Sequence, residues 1–250
     1  MDKAFLENLL AFDRQAESVQ LRRRSYELLR VAPGSRVVDV GCGGGTAVAE
    51  LAALGADAVG VDAAEEAVAF AREHHPDCRF EVGDAQRLPF ADESLDGYRA
   101  EKLYHALDDP DKACAEARRV LAPGGRIVLA GQDWELFAIE SDDPVLTRTI
   151  VTASAEGIGH GRVARRYRNM LLDTGFDDVS CEVRTAVLTD PALALFTVTR
   201  LATGAVQAGA VSEAQAEAWL DDQRLRADRD RLLVAIPLFL AAGRRPVTPS

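Results

Sequence analysis

The chain has 250 residues and a formal net charge of −11, because 40 acidic residues outnumber 29 basic ones. Apolar residues make up 48 % and charged residues 28 %, the balance of an ordinary globular protein. An acidic chain without a basic surface binds a phosphate backbone poorly, so we expect no nucleic-acid partner. No apolar run is long enough to cross a bilayer, and the acidic, amphipathic start is unlike a secretory signal.

The cysteines are widely spaced and form no CxxC pair; they are Cys42, Cys78, Cys114 and Cys181. A disulfide framework or a zinc site is therefore not expected, and no spacing of His, Asp and Glu suggests another metal site. Together with the missing membrane and secretion features, this pattern predicts a reduced cytoplasmic protein without nucleic-acid or membrane partners; a homodimer is left open.

Residues 1–30 predict an N-terminal helical segment. Apolar residues recur there on one side, at Phe5, Leu6, Leu9, Leu10, Phe12, Leu21, Leu28 and Leu29. The three arginines at 22–24 are interpreted as a solvated helix face. Pro33 and Gly34 then end the helical pattern.

From residue 36 the chain alternates between strands and helices. The predicted strands are residues 36–40, 57–62, 78–82, 94–100 and 126–130, with helices between most of them. Such alternation favours right-handed crossovers and a mainly parallel sheet that is covered on both faces.

After Gly131 the rhythm changes. We predict a mostly helical excursion over 132–160, a helix over 161–174 and a helical stretch over 191–229. Strands are predicted at 178–188 and 232–242, the second placed at an edge or a bulge because it contains Pro237. The fold class is therefore α/β, a Rossmann-like doubly wound, mostly parallel seven-stranded sheet. Helical additions cover the substrate site in a single domain, divided as 1–30 (cover), 31–131 (core) and 132–250 (remaining sheet and cover).

The motif with the most chemical content is VVDVGCGGG, residues 37–45. A strand that leads into a glycine turn and a helix lets the backbone approach a ligand closely, at the carboxyl end of the sheet. Asp62 ends the next strand and Asp84 follows the third. Ionised carboxylates only accept hydrogen bonds, so ribose hydroxyls and an adenine amino group are suitable partners. The alternative is that these acids merely cap helices.

Two other nucleotide sites fit the glycine turn less well. The dinucleotide fingerprint G-x-G-x-x-G requires a third glycine where this chain has Thr46 or Val48, depending on the starting glycine. A P-loop of the form G-x-x-x-x-G-K-[ST] is also absent from the sequence. A nucleotide without a pyrophosphate is therefore favoured over NAD.

The sequence resembles a class I S-adenosylmethionine-dependent methyltransferase of the small-molecule kind. The family pattern D-x-G-x-G-x-G stands here as DVGCGGG (39–45), followed by GVD (60–62) and GDAQRLPF (83–90). The segments LDGYRAEKLYHALDDP (95–110) and RRVLAPGGRIVLAGQDW (118–134) continue it. The resemblance is close over 36–134, and it implies S-adenosylmethionine as the cofactor.

The resemblance also implies contacts to that cofactor, at Asp39, Gly41, Gly43, Asp62, Ala63, Asp84, Ala85 and Arg99. The two glycines are expected against the methionine part. Asp62 is expected to hold the ribose with Ala63 beside the adenine, and Asp84 with Ala85 to hold the adenine edge. Arg99 is expected to face the amino acid end, although many relatives have a small polar residue at that position.

Residues for the acceptor follow the fourth and fifth strands. His105 is the first candidate for a catalytic base, because an imidazole titrates near neutral pH; ordering of its loop is the alternative. Asp133 is interpreted as a second base, as a residue that orients His105, or as a helix cap. Tyr104 and Trp134 are expected either to line an apolar pocket or to belong to the core. His160 is predicted to lie in a lid over the substrate, or on the surface.

The covering segments are largely apolar, which favours a small, apolar, quinone-like or specialised-metabolite acceptor. Four arginines there are read as a solvated helix face rather than as an anion site: Arg162, Arg165, Arg166 and Arg168. We therefore expect O- or C-methylation of such an acceptor. The alternatives are a cyclase of the same fold that binds the cofactor without transferring the methyl, and a binding protein that has lost catalysis.

Overall fold

The computed structural model describes residues 10 and 12–247. In that part of the chain the helices are α1 (Ala16–Leu29), α2 (Thr46–Ala53), α3 (Glu65–His74), α4 (Pro110–Val120), α5 (Pro144–Glu156), α6 (Tyr167–Asp173), α7 (Pro191–Gln207) and α8 (Glu213–Asp228). The strands are β1 (Arg36–Val40), β2 (Asp57–Asp62), β3 (Arg79–Val82), β4 (Leu95–Glu101), β5 (Leu121–Gln132), β6 (Ala138–Ile139), β7 (Asp177–Leu188) and β8 (Val234–Arg244).

All described strands form one sheet. Its order is β3-β2-β1-β4-β5-β8, and β7 lies on the far side of β8. The first five strands are parallel, whereas β8 runs antiparallel to both of its long neighbours. The predicted doubly wound, mostly parallel α/β fold is confirmed. The two-residue strand β6, which continues the line of β5 along β8, is an eighth strand that sequence patterning did not predict.

Helices cover both faces of the sheet. On one face, α4 and α6 pack against apolar residues of β4 and β5, with Tyr98 and Leu129 fully buried between them. On the other face, α1, α2 and α3 pack around Val37 and Val128. Burial on both faces explains why these strands read as continuous apolar runs rather than as alternating patterns.

The helical additions form a second apolar cluster beyond the carboxyl end of the sheet. It joins α5, α7 and α8 through buried Ile150, Val198 and Trp219. The indole Nε1 of Trp219 donates to Thr147 Oγ1 at 2.9 Å, so this polar atom is satisfied inside the cluster. No described helix is long and apolar enough to cross a membrane.

The predicted helix over 1–30 is interrupted. The chain turns at Arg14 and Gln15 before α1 begins, and Phe5, Leu6 and Leu9 lie outside the described residues. Residues before and after this turn pack against different parts of the molecule. Phe12 contacts the ring of Phe196 on α7, whereas Leu21 packs against the sheet.

Of the three arginines of α1, only Arg23 is exposed as predicted. Arg22 is buried, and its guanidinium donates to both carboxylate oxygens of Glu50 at 2.9 and 3.0 Å. Arg24 pairs with Glu182 of β7 at 2.8 Å. The prediction was wrong for Arg22 and Arg24 because acidic residues of other elements pair with them, and the local sequence does not show these partners.

Two further predictions near the carboxyl terminus need correction. The helical stretch over 191–229 is two helices, separated at Gly209 and restarted by a capping box between Ser212 and Gln215. The strand with Pro237 lies inside the sheet rather than at an edge. Along β8, pairing with β5 starts at Leu238 and pairing with β6 ends at Ala235. Proline is tolerated between these two positions because its missing N–H faces the gap that β5 and β6 leave.

Candidate cofactor and acceptor site

The glycine turn after β1 presents bare backbone at the carboxyl end of the sheet. Gly41 and Gly43 have φ values of +72° and +50°, in the left-handed region that favours glycine. A Cβ on Gly43 would meet no heavy atom within 4 Å, so the space above this residue is open. A Cβ on Gly45 would lie 2.6 Å from the ring of Phe80, so that glycine serves packing. Gly43 therefore offers its backbone to a ligand.

Asp62 fixes this turn from the end of β2. One carboxylate oxygen accepts from the backbone N–H of Gly43 and the other from that of Ala64, both at 3.0 Å. The side chain is half-buried. A carboxylate has about four acceptor positions, so two backbone donors leave capacity for two hydroxyl donors.

The third strand brings Asp84 and Ala85 to the same edge. Asp84 is exposed, and its carboxylate accepts from the backbone N–H of Gln86 at 2.9 Å, which orders the turn after β3. Ala85 is buried and packs into the core, while Ala63 is exposed beside Asp62. These four residues follow neighbouring parallel strands, so they share one edge of the sheet with the glycine turn.

Arg99 lies beneath this edge rather than within the open cleft. Its guanidinium is buried and donates to Asp39 at 2.6 Å, to Ser25 at 2.9 Å and to Glu101. Burial opposes a charge on Arg99, but Asp39 and Glu101 outweigh that effect and raise its pKa, so the guanidinium stays charged. Because each guanidinium nitrogen already donates to a protein acceptor, the expected contact of Arg99 with the cofactor's amino acid end stays a prediction. A supporting role for Arg99 and Asp39 fits this geometry better.

Glu101 and Lys102, at the end of β4, were missed by sequence reasoning. Burial alone would raise the pKa of Glu101, but Lys102 and Arg99 together hold it below its usual value, so the carboxylate is ionised. Lys102 Nζ lies 3.2 Å from Glu101. In the sequence, the one signal that placed Glu101 and Lys102 at this site was their position after a central strand, beside the glycine turn.

His105 lies in a single helical turn, Tyr104–Ala106, that follows β4. Its ring packs edge to face on Trp134, with the ring centroids 5.5 Å apart. The backbone N–H of His160 donates to the carbonyl of His105 at 3.1 Å, so the loop of His160 lies against this turn. Burial, with a smaller effect from the charge of Arg200, lowers the pKa of His105 to about 4.

Comparison with known proteins assigns the family. The model of the family described as Methyltransferase domain matches residues 38–129. Over 109 residues the chain is 39 % identical to the demethylmenaquinone methyltransferase of Beutenbergia cavernae, a match over 44 % of this chain. Residues 38–129 therefore form a methyltransferase domain of the class I S-adenosylmethionine-dependent kind. The predicted family and cofactor type are thereby confirmed.

The chain is also 32 % identical over 229 residues to an uncharacterized 37.1 kDa protein in transposon TN4556 of Streptomyces fradiae, a match over 87 % of this chain. The two matches span 65 % and 45 % of the lengths of these relatives.

Two solved structures share the fold. The YcgJ protein of Bacillus subtilis superposes with a TM-score of 0.63 at 19 % identity, covering 91 % of this chain and 98 % of that one. The [4+2]-cyclase SpnF superposes with a TM-score of 0.61 at 20 % identity, covering 92 % and 82 %. At these identities the likeness concerns the fold alone.

The residues at the strand ends fit S-adenosylmethionine. Open space above Gly43 allows a ligand to contact the backbone, and Asp62 retains acceptor positions for two ribose hydroxyls. Asp84 has an exposed carboxylate for an exocyclic amine. Within residues 10 and 12–247, no group of three or more His, Cys, Asp or Glu residues could hold a metal ion.

Asp133 is held by contacts to the cover and to the turn that follows it. It is fully buried, both of its oxygens accept from Arg165, and one also accepts from the backbone N–H of Glu135 at 3.1 Å. It therefore caps the turn Trp134–Leu136, which was the third interpretation of this residue, and no recorded contact joins it to His105.

Tyr104 belongs to the core rather than to a pocket wall. It is buried, its hydroxyl lies 3.3 Å from that of Tyr98, and its ring packs edge to face on Tyr167. Trp134, in contrast, is half-buried between His105 and Phe137, whose ring stacks on it at 5.5 Å. Of the two predicted pocket aromatics, Trp134 alone is placed to meet a substrate.

The arginine cluster holds the cover in place. Arg162 and Arg165 both pair with Glu135, at 2.6 and 3.0 Å, and Arg166 pairs with Asp111 of α4. These contacts join the segment after α5 to the end of β5 and to α4. All four arginines are exposed, so the predicted solvated face is confirmed, although three of them also form these ion pairs.

Two buried polar atoms near the end of β5 have no hydrogen-bond partner among the described residues. They are Trp134 Nε1, a donor, and Gln132 Oε1, an acceptor. Buried polar atoms are usually hydrogen-bonded to protein or to ordered water, so these two atoms can pair with a bound water or a ligand. Gln132 was not predicted from the sequence, because nothing local distinguishes it from an ordinary strand-end residue.

Proposed function

We propose that the protein transfers the methyl group of S-adenosylmethionine to a small, largely apolar acceptor, by O- or C-methylation, of the specialised-metabolite or quinone-like kind. The observation that carries this proposal is the grouping of His105, Trp134 and Phe137 at the ends of β4 and β5, next to the strand ends that fit the cofactor. Aromatic walls with few polar atoms are typical of sites for small apolar molecules.

The cofactor, when bound, supplies a methyl group already activated on a sulfonium, so the protein chiefly has to align the acceptor and exclude water. Gly41 and Gly43 would lie along its methionine part, Asp62 would hold the ribose, and Asp84 with Ala85 would hold the adenine. These assignments follow the family motifs and agree with the open backbone and free acceptor positions described above.

The unpaired atoms of Gln132 and Trp134 refine the proposed acceptor. An acceptor with one hydroxyl and one carbonyl or second hydroxyl would donate to Gln132 Oε1 and accept from Trp134 Nε1. A phenol or hydroxyquinone ring meets this requirement and is also able to stack on aromatic side chains. Among the relatives, the name of the Beutenbergia cavernae protein, a demethylmenaquinone methyltransferase, agrees with such an acceptor.

His105 is the proposed base for the acceptor hydroxyl. Because its pKa is lowered to about 4, the imidazole is neutral at pH 7 and available to accept a proton. The rate should stay constant from pH 8 down to about 6 and fall only as the pH approaches 4. A rate that falls near pH 6.5, as for an unperturbed histidine, would contradict this environment.

His105→Ala is expected to lower kcat by about 100-fold or more, the low end of general-base effects, while the affinity for the cofactor is unchanged. His74→Ala is the matched control, since His74 lies at the distant end of α3 and stacks on Phe70. A fully active His105→Ala variant would show that His105 only orders its loop.

The direct test of the proposed function is incubation of the protein with S-adenosylmethionine and a panel of phenols, hydroxyquinones and purely aliphatic alcohols. Release of S-adenosylhomocysteine together with a methylated phenol or quinone supports methyl transfer. Conversion of an acceptor with S-adenosylmethionine left intact would instead support the cyclase alternative. Turnover confined to aliphatic alcohols would contradict the proposed acceptor class.

A further inference from the structure

The outer edge of the sheet is unusually open to pairing. Within the described residues, β7 pairs only with β8, so one side of this twelve-residue strand carries free backbone donors and acceptors. Exposed edges of this length are usually blunted by charged side chains, proline or a bulge, but the two charges in the middle of β7, Glu182 and Arg184, are of opposite sign. The only irregularity here lies at one end, between Asp177 and Ser180, and Val183 is 53 % exposed in the regular part.

The regular segment Ser180–Ala186 is complementary to itself in the antiparallel sense. A two-fold axis at Val183 would place Val183 opposite its own copy and Glu182 opposite Arg184 of the second copy, twice. Opposite charges facing each other across strands stabilise the pair, and like charges destabilise it. Sliding one strand by two residues in either direction keeps every side chain on the same face of the sheet. It would place Glu182 opposite Glu182, or Arg184 opposite Arg184. The charge pattern therefore selects one register.

Both charged side chains are reachable from outside. Glu182 accepts from Arg24 of α1 at 2.8 Å and lies 3.5 Å from Arg184 of its own strand. They keep 31 % and 44 % of their surface exposed, respectively. A second copy would add one further ion pair to each without breaking the contact to Arg24.

We propose that two copies of the chain associate along β7, antiparallel about Val183, so that their sheets join into one continuous sheet. This interface is independent of the proposed acceptor, and it lies on the sheet edge rather than at the carboxyl ends of the strands. The partner is a second copy because only an identical strand supplies both complementary charges in this order.

Sedimentation velocity of the full-length chain over a range of concentrations tests the proposal. The unaltered protein is expected to dimerise. Glu182→Arg alone and Arg184→Glu alone should each weaken dimerisation at least tenfold, and the double exchange should restore it. A monomer at all concentrations, or a double exchange that fails to restore the dimer, would overturn the proposal.

Two controls separate the interface from the intramolecular pairs. Arg24→Gln removes the bond to Glu182 without altering the charges on the edge, and Glu217→Arg breaks a similar exposed pair with Arg224 on α8. Neither should change dimerisation.

In a Cys181→Ser background, Val183→Cys should form a covalent dimer on oxidation, because opposite Cα atoms in antiparallel strands lie about 4.5–5.5 Å apart. Failure to cross-link would contradict the register.

Discussion

Replacement of Arg99 by methionine is expected to lower the free energy of unfolding by about 3–5 kcal/mol, as for other buried charges that lose their partner. Methionine fills similar space but removes the counter-charge that Asp39 and Glu101 share, so the Asp39 carboxylate is left buried without a cation. Lys102 compensates only Glu101 and lies at the rim of the cluster. The measurement is equilibrium unfolding in urea at pH 7.

Arg36→Met is the matched control for Arg99→Met. Arg36 also donates two hydrogen bonds to one carboxylate, that of Asp96, but its side chain is 47 % exposed. Exposed pairs of this kind contribute about 0–1 kcal/mol, so this variant should unfold nearly as the unaltered protein does. Equal losses of unfolding free energy in both variants would mean that the buried ion pairs of Arg99 stabilise the protein no more than an exposed pair does. The loss in Arg99→Met should also shrink at low pH, where the two carboxylates become protonated.

Asp62→Ala is expected to weaken cofactor binding by about 150-fold or more. Hydrogen bonds to a charged group contribute about 1.5–3 kcal/mol each, and Asp62 is proposed to accept two from the ribose. The variant also loses the bonds that hold Gly43 and Ala64, so the glycine turn becomes less ordered. The change is measured as the dissociation constant for S-adenosylhomocysteine.

Asp57→Ala is the control on the same strand. Asp57 begins β2 at the opposite edge of the sheet and pairs with Arg79 in solvent. It should bind the cofactor normally. Unchanged affinity in Asp62→Ala would contradict the assigned place of the ribose, whereas loss in both variants would point to general damage to β2.

The core of the fold was predictable because its determinants are local. Each parallel strand is a short apolar run that ends in a turn or a carboxylate, and the glycine turn, Asp62 and Asp84 all stand directly at such ends. Because parallel strands present their carboxyl ends at one edge, the order of motifs along the chain already brings these residues together.

The supporting residues could not be predicted in this way. Asp39 looks like a ligand residue from its motif, and only the fold reveals that Arg99, sixty positions later, occupies its carboxylate. Asp133 likewise faces Arg165 rather than His105. The partner of a buried charge depends on which strands become neighbours, and pattern and spacing do not encode this information for single residues.

Pro237 illustrates a different limit. Proline is disfavoured in central strands because it lacks the one N–H that would pair with a neighbouring strand on one side. The rule therefore applies only where a neighbour is present on that side. Because β5 and β6 leave a gap opposite this position, a central strand tolerates the residue. Sequence patterning predicted the strand correctly but not its neighbours.

The central claim is that the strand-end site binds S-adenosylmethionine, and calorimetric titration tests it most directly. The protein is titrated with S-adenosylmethionine, with S-adenosylhomocysteine and, as a control, with NAD. We expect micromolar binding of the first two at one site per chain and no binding of NAD. Absence of binding by both S-adenosyl compounds, or binding of NAD in their place, would contradict the account.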